Sequence, residues 1–183
     1  MRLRVFRLAP DTRRYTALAA SPESGITAVL DFDGTPVKQR WHPITVEPIL
    51  GEFPDLMRVG DLTKLGAVPV FSDRAVKALE RELGENGELL PLTAPTLETP
   101  YYVYNVTTVV DALDRSSTIA EWLDADRLLA VERYGFRAGP LGGATIFKIP
   151  ELRRSTVFVT DLFVGRAREA NLEGFAPEVV WSE

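Results

Sequence analysis

At 183 residues and 45% hydrophobic, the chain is long enough to bury a substantial core and too apolar for disorder. Its formal net charge of −5 argues against a broad nucleic-acid footprint. The absence of cysteine excludes disulfides, zinc-thiolate sites and thiol catalysis, and the single histidine excludes any site that needs two.

The first residues, MRLRVFRLAPDTRRY, are basic but lack the apolar core of a signal peptide. No run approaches the roughly 18 apolar residues of a membrane span. The expected location is therefore cytoplasmic. Met1–Leu8 reads as an opening strand at a sheet edge, where its arginines discourage mispairing. Asp11–Gly25 reads as loop. Ile26–Phe32 reads as a strand that ends in a turn at Asp33-Gly34.

From about 33 to 65 the chain is irregular and interrupted by prolines, yet rich in apolar residues that want burial. Val37 and Ile44–Val46 suggest short strands, and Asp61–Leu65 a helical turn. His42, between Trp41 and Pro43, reads as a packed loop residue. Val68–Phe71 is a strand. Ser72 then caps a helix that runs to Gly84, with Asp73 favourably placed at its positive end. Gly87–Leu92 is the next strand.

Tyr101–Ser117, YYVYNVTTVVDALDRSS, begins as a strand of aromatic and β-branched residues. From Val109 the spacing of Val109, Val110 and Leu113 predicts a short helix, with Asp111 and Asp114 on its wetter sides. Ile119–Leu123 fits helix or strand. Arg127–Glu132 is a strand with Leu128 and Val131 inward, and Gly135–Gly143 a loop. Ala144–Ile149 and Thr156–Val159 are strands. Thr160-Asp161 caps a helix reaching about Asn171, and Gly174–Trp181 is extended. The sum is one α+β domain over 1–183: a mixed, largely antiparallel sheet with a few packed helices.

One motif looks catalytic. ITAVLDFDGTPV resembles the first motif of the haloacid dehalogenase superfamily, an apolar strand followed by Asp-x-Asp-Gly-Thr. The resemblance implies a magnesium-dependent phosphatase with Asp31 as nucleophile and Asp33 as the proton-handling carboxylate. Ser72, Lys148 and Asp161 would be its remaining site residues. The context opposes it. Prolines leave no crossover helix between Asp31 and Ser72, Thr160-Asp161 lacks a second acidic partner, and Lys148 sits mid-strand. A plain turn at Asp33-Gly34 is the preferred reading.

YNVTTVVDALDRSS resembles instead the Asn-Val … Val-Asp-x-Leu-Asp … Ser signature of the myxobacterial-type immunity-protein domain family, encoded beside polymorphic toxins. VFSDRAVKALE, ELLPL, ATIFKIPE, VFVTDLFVGRARE and LEGFAPEVVW follow the same family order, so the resemblance runs from about Phe32 to Trp181. It implies a non-catalytic protein that binds and neutralises a cognate toxin, with no cofactor, no metal, no nucleic acid and no membrane partner. Asn105, Asp111, Asp114 and Ser117 carry over as motif residues with local hydrogen-bonding and capping roles. The toxin-facing surface is not given by the motif.

Overall fold

A computed structural model describes residues 2–21, 24, 32–49 and 58–183. Within them the strands are β1 (Arg4–Arg7), β2 (Leu18–Ala20), β3 (Ile44–Pro48), β4 (Leu62–Leu65), β5 (Val68–Ser72), β6 (Gly87–Thr93), β7 (Tyr101–Val106), β8 (Ile119–Trp122), β9 (Leu128–Arg133), β10 (Ile146–Phe147), β11 (Phe158–Thr160) and β12 (Glu178–Ser182). The helices are α1 (Asp73–Ala78), α2 (Glu80–Gly84) and α3 (Asp161–Glu169). The fold is α+β.

Six strands close into a barrel in the order β2-β3-β6-β7-β5-β4. A four-stranded sheet, β10-β11-β1-β12, lies beside it, and β8-β9 forms a separate hairpin. The pairings are antiparallel except for β2 with β4 and β3 with β6, the two barrel pairs most distant in sequence. The expected sheet is thus three sheets, antiparallel in the main.

Side-chain alternation explains this layering. On β7, Tyr101 and Val103 point into the barrel with Leu18, Val46, Val70 and Leu90. Tyr104 and Val106 point out, against Phe71, Leu79, Leu83 and Phe163. The helices are held in this second layer between the barrel and the four-stranded sheet. That sheet is buried on both faces: Phe6, Ile146 and Val159 meet the helical layer, whereas Val5, Phe147 and Phe158 face a third cluster with Leu113, Phe136 and Ile149. Phe136, Phe147 and Phe158 contact one another through ring edges and faces.

Several expectations are corrected. β1 is an interior strand, paired with β11 on one side and β12 on the other, and its arginines are taken up at the strand margins: Arg4 by Asp161 and Arg7 by Glu178. The helical turn expected over Asp61–Leu65 is instead strand over Leu62–Leu65. Leu62–Leu65 pairs with β5 across a tight turn in which Gly66 adopts φ +61, a conformation glycine takes without steric cost. A short strand, β2, lies in the expected loop 11–25. Val37 precedes a single 3-10 turn and is not in a strand, and His42 is exposed. The helix after Ser72 divides at Leu79, whose N–H still donates to Ala75 O at 2.9 Å. The strand expected over 26–32 lies outside the described residues except for Phe32, which is buried.

The Ser72 cap is as expected: its Oγ accepts from Ala75 N–H at 3.1 Å and donates to Asp61 Oδ1 at 2.7 Å. Asp61 also accepts from Arg74 and from Glu173 N–H, so one carboxylate joins the barrel, α1 and the C-terminal run. At α3 the cap position is Thr160, but its hydroxyl donates to Ala144 O at 2.7 Å instead of bonding the helix end.

Candidate functional site

Beyond β7 the backbone is claimed by partners far away in sequence. Val110 N–H donates to Lys148 O, and Lys148 N–H to Thr108 O. Arg137 N–H donates to Ala112 O, and Asp114 N–H to Gly135 O. These bridges replace the i to i−4 pattern, and no helix forms over 109–113. Val110 and Leu113 still turn inward, but to the layer beneath the four-stranded sheet.

A tight turn follows. Asp114 Oδ1 accepts from the N–H of Ser116 at 3.0 Å and its hydroxyl at 2.7 Å, and Oδ2 accepts from Ser117 Oγ at 2.6 Å. Asp114 O accepts from Thr118 Oγ1 at 2.7 Å. The Ser117 hydroxyl, then that of Ser116, holds the Asp114 carboxyl below the usual carboxylate range. Gly135 lies against this turn so closely that a Cβ there would stand 2.0 Å from Ser117 Oγ.

The turn forms one wall of a polar depression of about 410 Å³, shared by Asp111, Asp114, Arg115, Arg137 and Glu151. Arg137 Nη2 donates to the backbone oxygen and to Oδ1 of Asp111, each at 2.7 Å. Arg115 donates to Ala125 O at 2.8 Å and to Glu151 Oε1 at 3.3 Å, and lies over the Trp122 ring at 4.5 Å. Glu151 is buried, and its Oε2 has no hydrogen-bond partner among the described residues. The depression therefore offers donors and acceptors at fixed positions, with charges already opposed in pairs.

Of the motif residues, Asp111 and Asp114 are brought together here, and Ser117 braces Asp114. Asn105 stands apart. It is fully buried on β7, donating to Thr35 O at 2.9 Å and to Glu88 Oε2 at 3.0 Å. Glu88 also accepts from Val37 N–H and Lys38 N–H, so Asn105 and Glu88 fasten the 35–38 segment to the barrel wall. Arg115 lies within the motif stretch itself, a signal available in the sequence. Arg137 and Glu151 follow their partners Asp111 and Arg115 by 26 and 36 residues, with nothing local to mark them.

The residues of the phosphatase motif are placed differently. Asp31 lies outside the described residues. Asp33 forms a turn, accepting from Thr35 N–H at 3.0 Å, and Thr35 holds its carboxyl below the usual range. Lys148 is brought near: its Nζ donates to Phe32 O at 2.6 Å, and Asp33 attracts its charge. Ser72 and Asp161 are engaged elsewhere, in the α1 cap and with Arg4. Among the described residues, no group of three or more His, Asp or Glu side chains is arranged to hold a metal ion. No described helix is long and apolar enough to cross a membrane.

The chain is thus an α+β protein in which a barrel and a four-stranded sheet flank a helical layer, with a braced polar turn at one side. Residues 95–181, which contain that turn and all four motif residues, match the model of an immunity protein family (Imm11). This is the family named by the motif resemblance, matched over a shorter span than Phe32–Trp181. No curated protein matches the chain.

Proposed function

We propose that this protein is an immunity protein that binds a cognate bacterial toxin and neutralises it by occupying its surface, without catalysis, in the cytoplasm of the cell that makes it. The observation that carries this reading is the immunity-family match over 95–181. The physical requirements of the task agree with it. Neutralisation by occupancy needs a preorganised surface with an anchor cluster and a polar rim. The braced turn at Asp114 and the paired charges of Arg115, Arg137 and Glu151 supply rigidity to one part of the surface. The net charge of −5 favours rapid encounter with a basic toxin face.

The test is co-expression, in a susceptible bacterial host, with the toxin domain encoded by the adjacent reading frame. Restored growth and a stoichiometric complex on size-exclusion chromatography are the expected results. Titration separates occupancy from enzymatic destruction: protection should require about one protomer per toxin. Undiminished killing with no complex would overturn the reading, and protection at strongly substoichiometric amounts would overturn its non-catalytic part.

A further inference from the structure

Among the described residues, four of the seven exposed large apolar side chains lie within a short stretch of the β8-β9 hairpin: Ile119, Trp122, Leu123 and Leu129. Leu123 and Leu129 are 55% and 62% exposed, more than expected for leucines with no partner to cover them. The pleat separates two faces. Ala120, Leu128 and Val131 turn to the core, whereas Glu121 pairs across from Ala130 on the outer face. The hairpin belongs to neither larger sheet.

The surroundings are acidic. Residues 119–133 carry four carboxylates, Glu121, Asp124, Asp126 and Glu132, against two guanidinium groups. Arg127 is spent on Asp124, which it bonds at 2.6 Å, and Arg115 lies 3.8 Å from Asp126, which leaves Glu121 and Glu132 against Arg133 alone. Arg115 makes the hairpin continuous with the polar depression, because the same guanidinium stacks on Trp122, bonds Ala125 O and faces Glu151. An apolar centre with a carboxylate rim, held on a braced base, has the composition of a recognition surface. A second copy is a poor occupant, since two-fold pairing of this patch would set its acidic rim against itself.

We propose that the outer face of the β8-β9 hairpin is the toxin-binding surface, and that it takes a basic protein face with an apolar centre. The proposal rests on the immunity reading above and deepens it. Ile119, Leu123 and Leu129 are the anchors. Glu121 and Glu132 steer the encounter.

The experiment measures binding of the adjacent-frame toxin domain, inactivated at its own active site, by biolayer interferometry to the full chain and to Ile119→Arg, Leu129→Arg, Glu121→Lys and the control Leu162→Arg on α3. Unchanged melting temperatures establish that these exposed substitutions leave the fold intact. Each anchor variant should bind roughly 100-fold more weakly. Glu121→Lys should lose about tenfold, chiefly in association rate, with a shallower salt dependence. Leu162→Arg should bind as wild type. If wild type binds and both anchor variants stay within about threefold of it, the surface assignment fails while the immunity reading stands. If wild type itself neither binds nor protects, the immunity reading fails and the proposal with it. A wild-type homodimer that Leu129→Arg converts to monomer would also overturn the proposal, because the patch would then be covered by a second copy.

Discussion

Lys148 shows how one side chain can depart from its neighbours' pattern. Ile146, Phe147 and Ile149 around it are apolar and fully buried, and Lys148 is buried with them. Burial lowers its ammonium to about 8, against the opposing pull of Asp33. An unfolded lysine titrates near 10.5. Below pH 8 both states hold the proton and the folded state bears the full cost of the buried charge. Between pH 8 and 10.5 the unfolded state binds more protons than the native state, so stability rises with pH. Denaturant unfolding at pH 7.5 and 9.5 should show wild type gaining about 2 kcal/mol from this group, and Lys148→Met should lose that gain. The buried phenol of Tyr101, pushed up to about 12, acts oppositely but only above pH 10, where its unfolded counterpart ionises. The carboxyls of Asp33 and Asp114, held below their usual range, lie far under this window and do not contribute to the comparison.

At the scale of elements, the β8-β9 hairpin has its loop held by one side chain, Arg115. Two strands alone are marginal in water, and this pair adds only Ala120, Leu128 and Val131 to the core. The Asp114 turn ties its base through Thr118 and Gly135, and Arg115 ties its loop by joining Ala125 O to Glu151. Removing it would leave the buried Glu151 carboxylate without its Oε1 donor, while Oε2 already lacks one. Because Arg115 is half exposed, Arg115→Ala should cost about 2 kcal/mol, below the range for a fully buried pair. Adding Glu151→Gln should recover about 1 kcal/mol, because a neutral amide tolerates the burial better. Hydrogen exchange should show the loss concentrated in 119–133, and uniform loss across the barrel would contradict this account. Legibility in the sequence divides along the same line. Elements whose cause is local were readable: the Ser72 cap, the Asp33 turn and the alternation of β7. The 107–113 stretch was not, because helical spacing of Val109, Val110 and Leu113 coexists with backbone pairing to Lys148 and Phe136. β1 read as an edge because its arginines are answered only by Asp161 and Glu178, near the other end of the chain. Of the site, Asp111, Asp114 and Arg115 could be found in the motif stretch. Arg137 and Glu151 join them only through the fold.

At the scale of the whole molecule, the family match begins at residue 95, yet the structure built from 95–181 leans on residues before it. β7 has two neighbours in the barrel, β5 and β6, and both precede residue 95. β11 and β12 do not pair with each other, because β1 lies between them. Tyr104 donates its hydroxyl to Leu83 O at 2.6 Å, and Phe163 of α3 packs on Phe71 of β5. A chain cut at residue 95 would therefore expose both edges of β7, leave β11 and β12 without a common partner, and uncover one side of α3. Such edges and apolar faces have no compensating burial within the fragment. The excised segment 95–181 should be unfolded or aggregated, with little near-ultraviolet dichroism and no cooperative melt. Deleting only residues 1–8 from the full chain should also abolish the cooperative transition, since it removes the strand that unites β11 with β12. A fragment 95–181 that melts cooperatively and binds the toxin would show instead that the matched segment holds its own core.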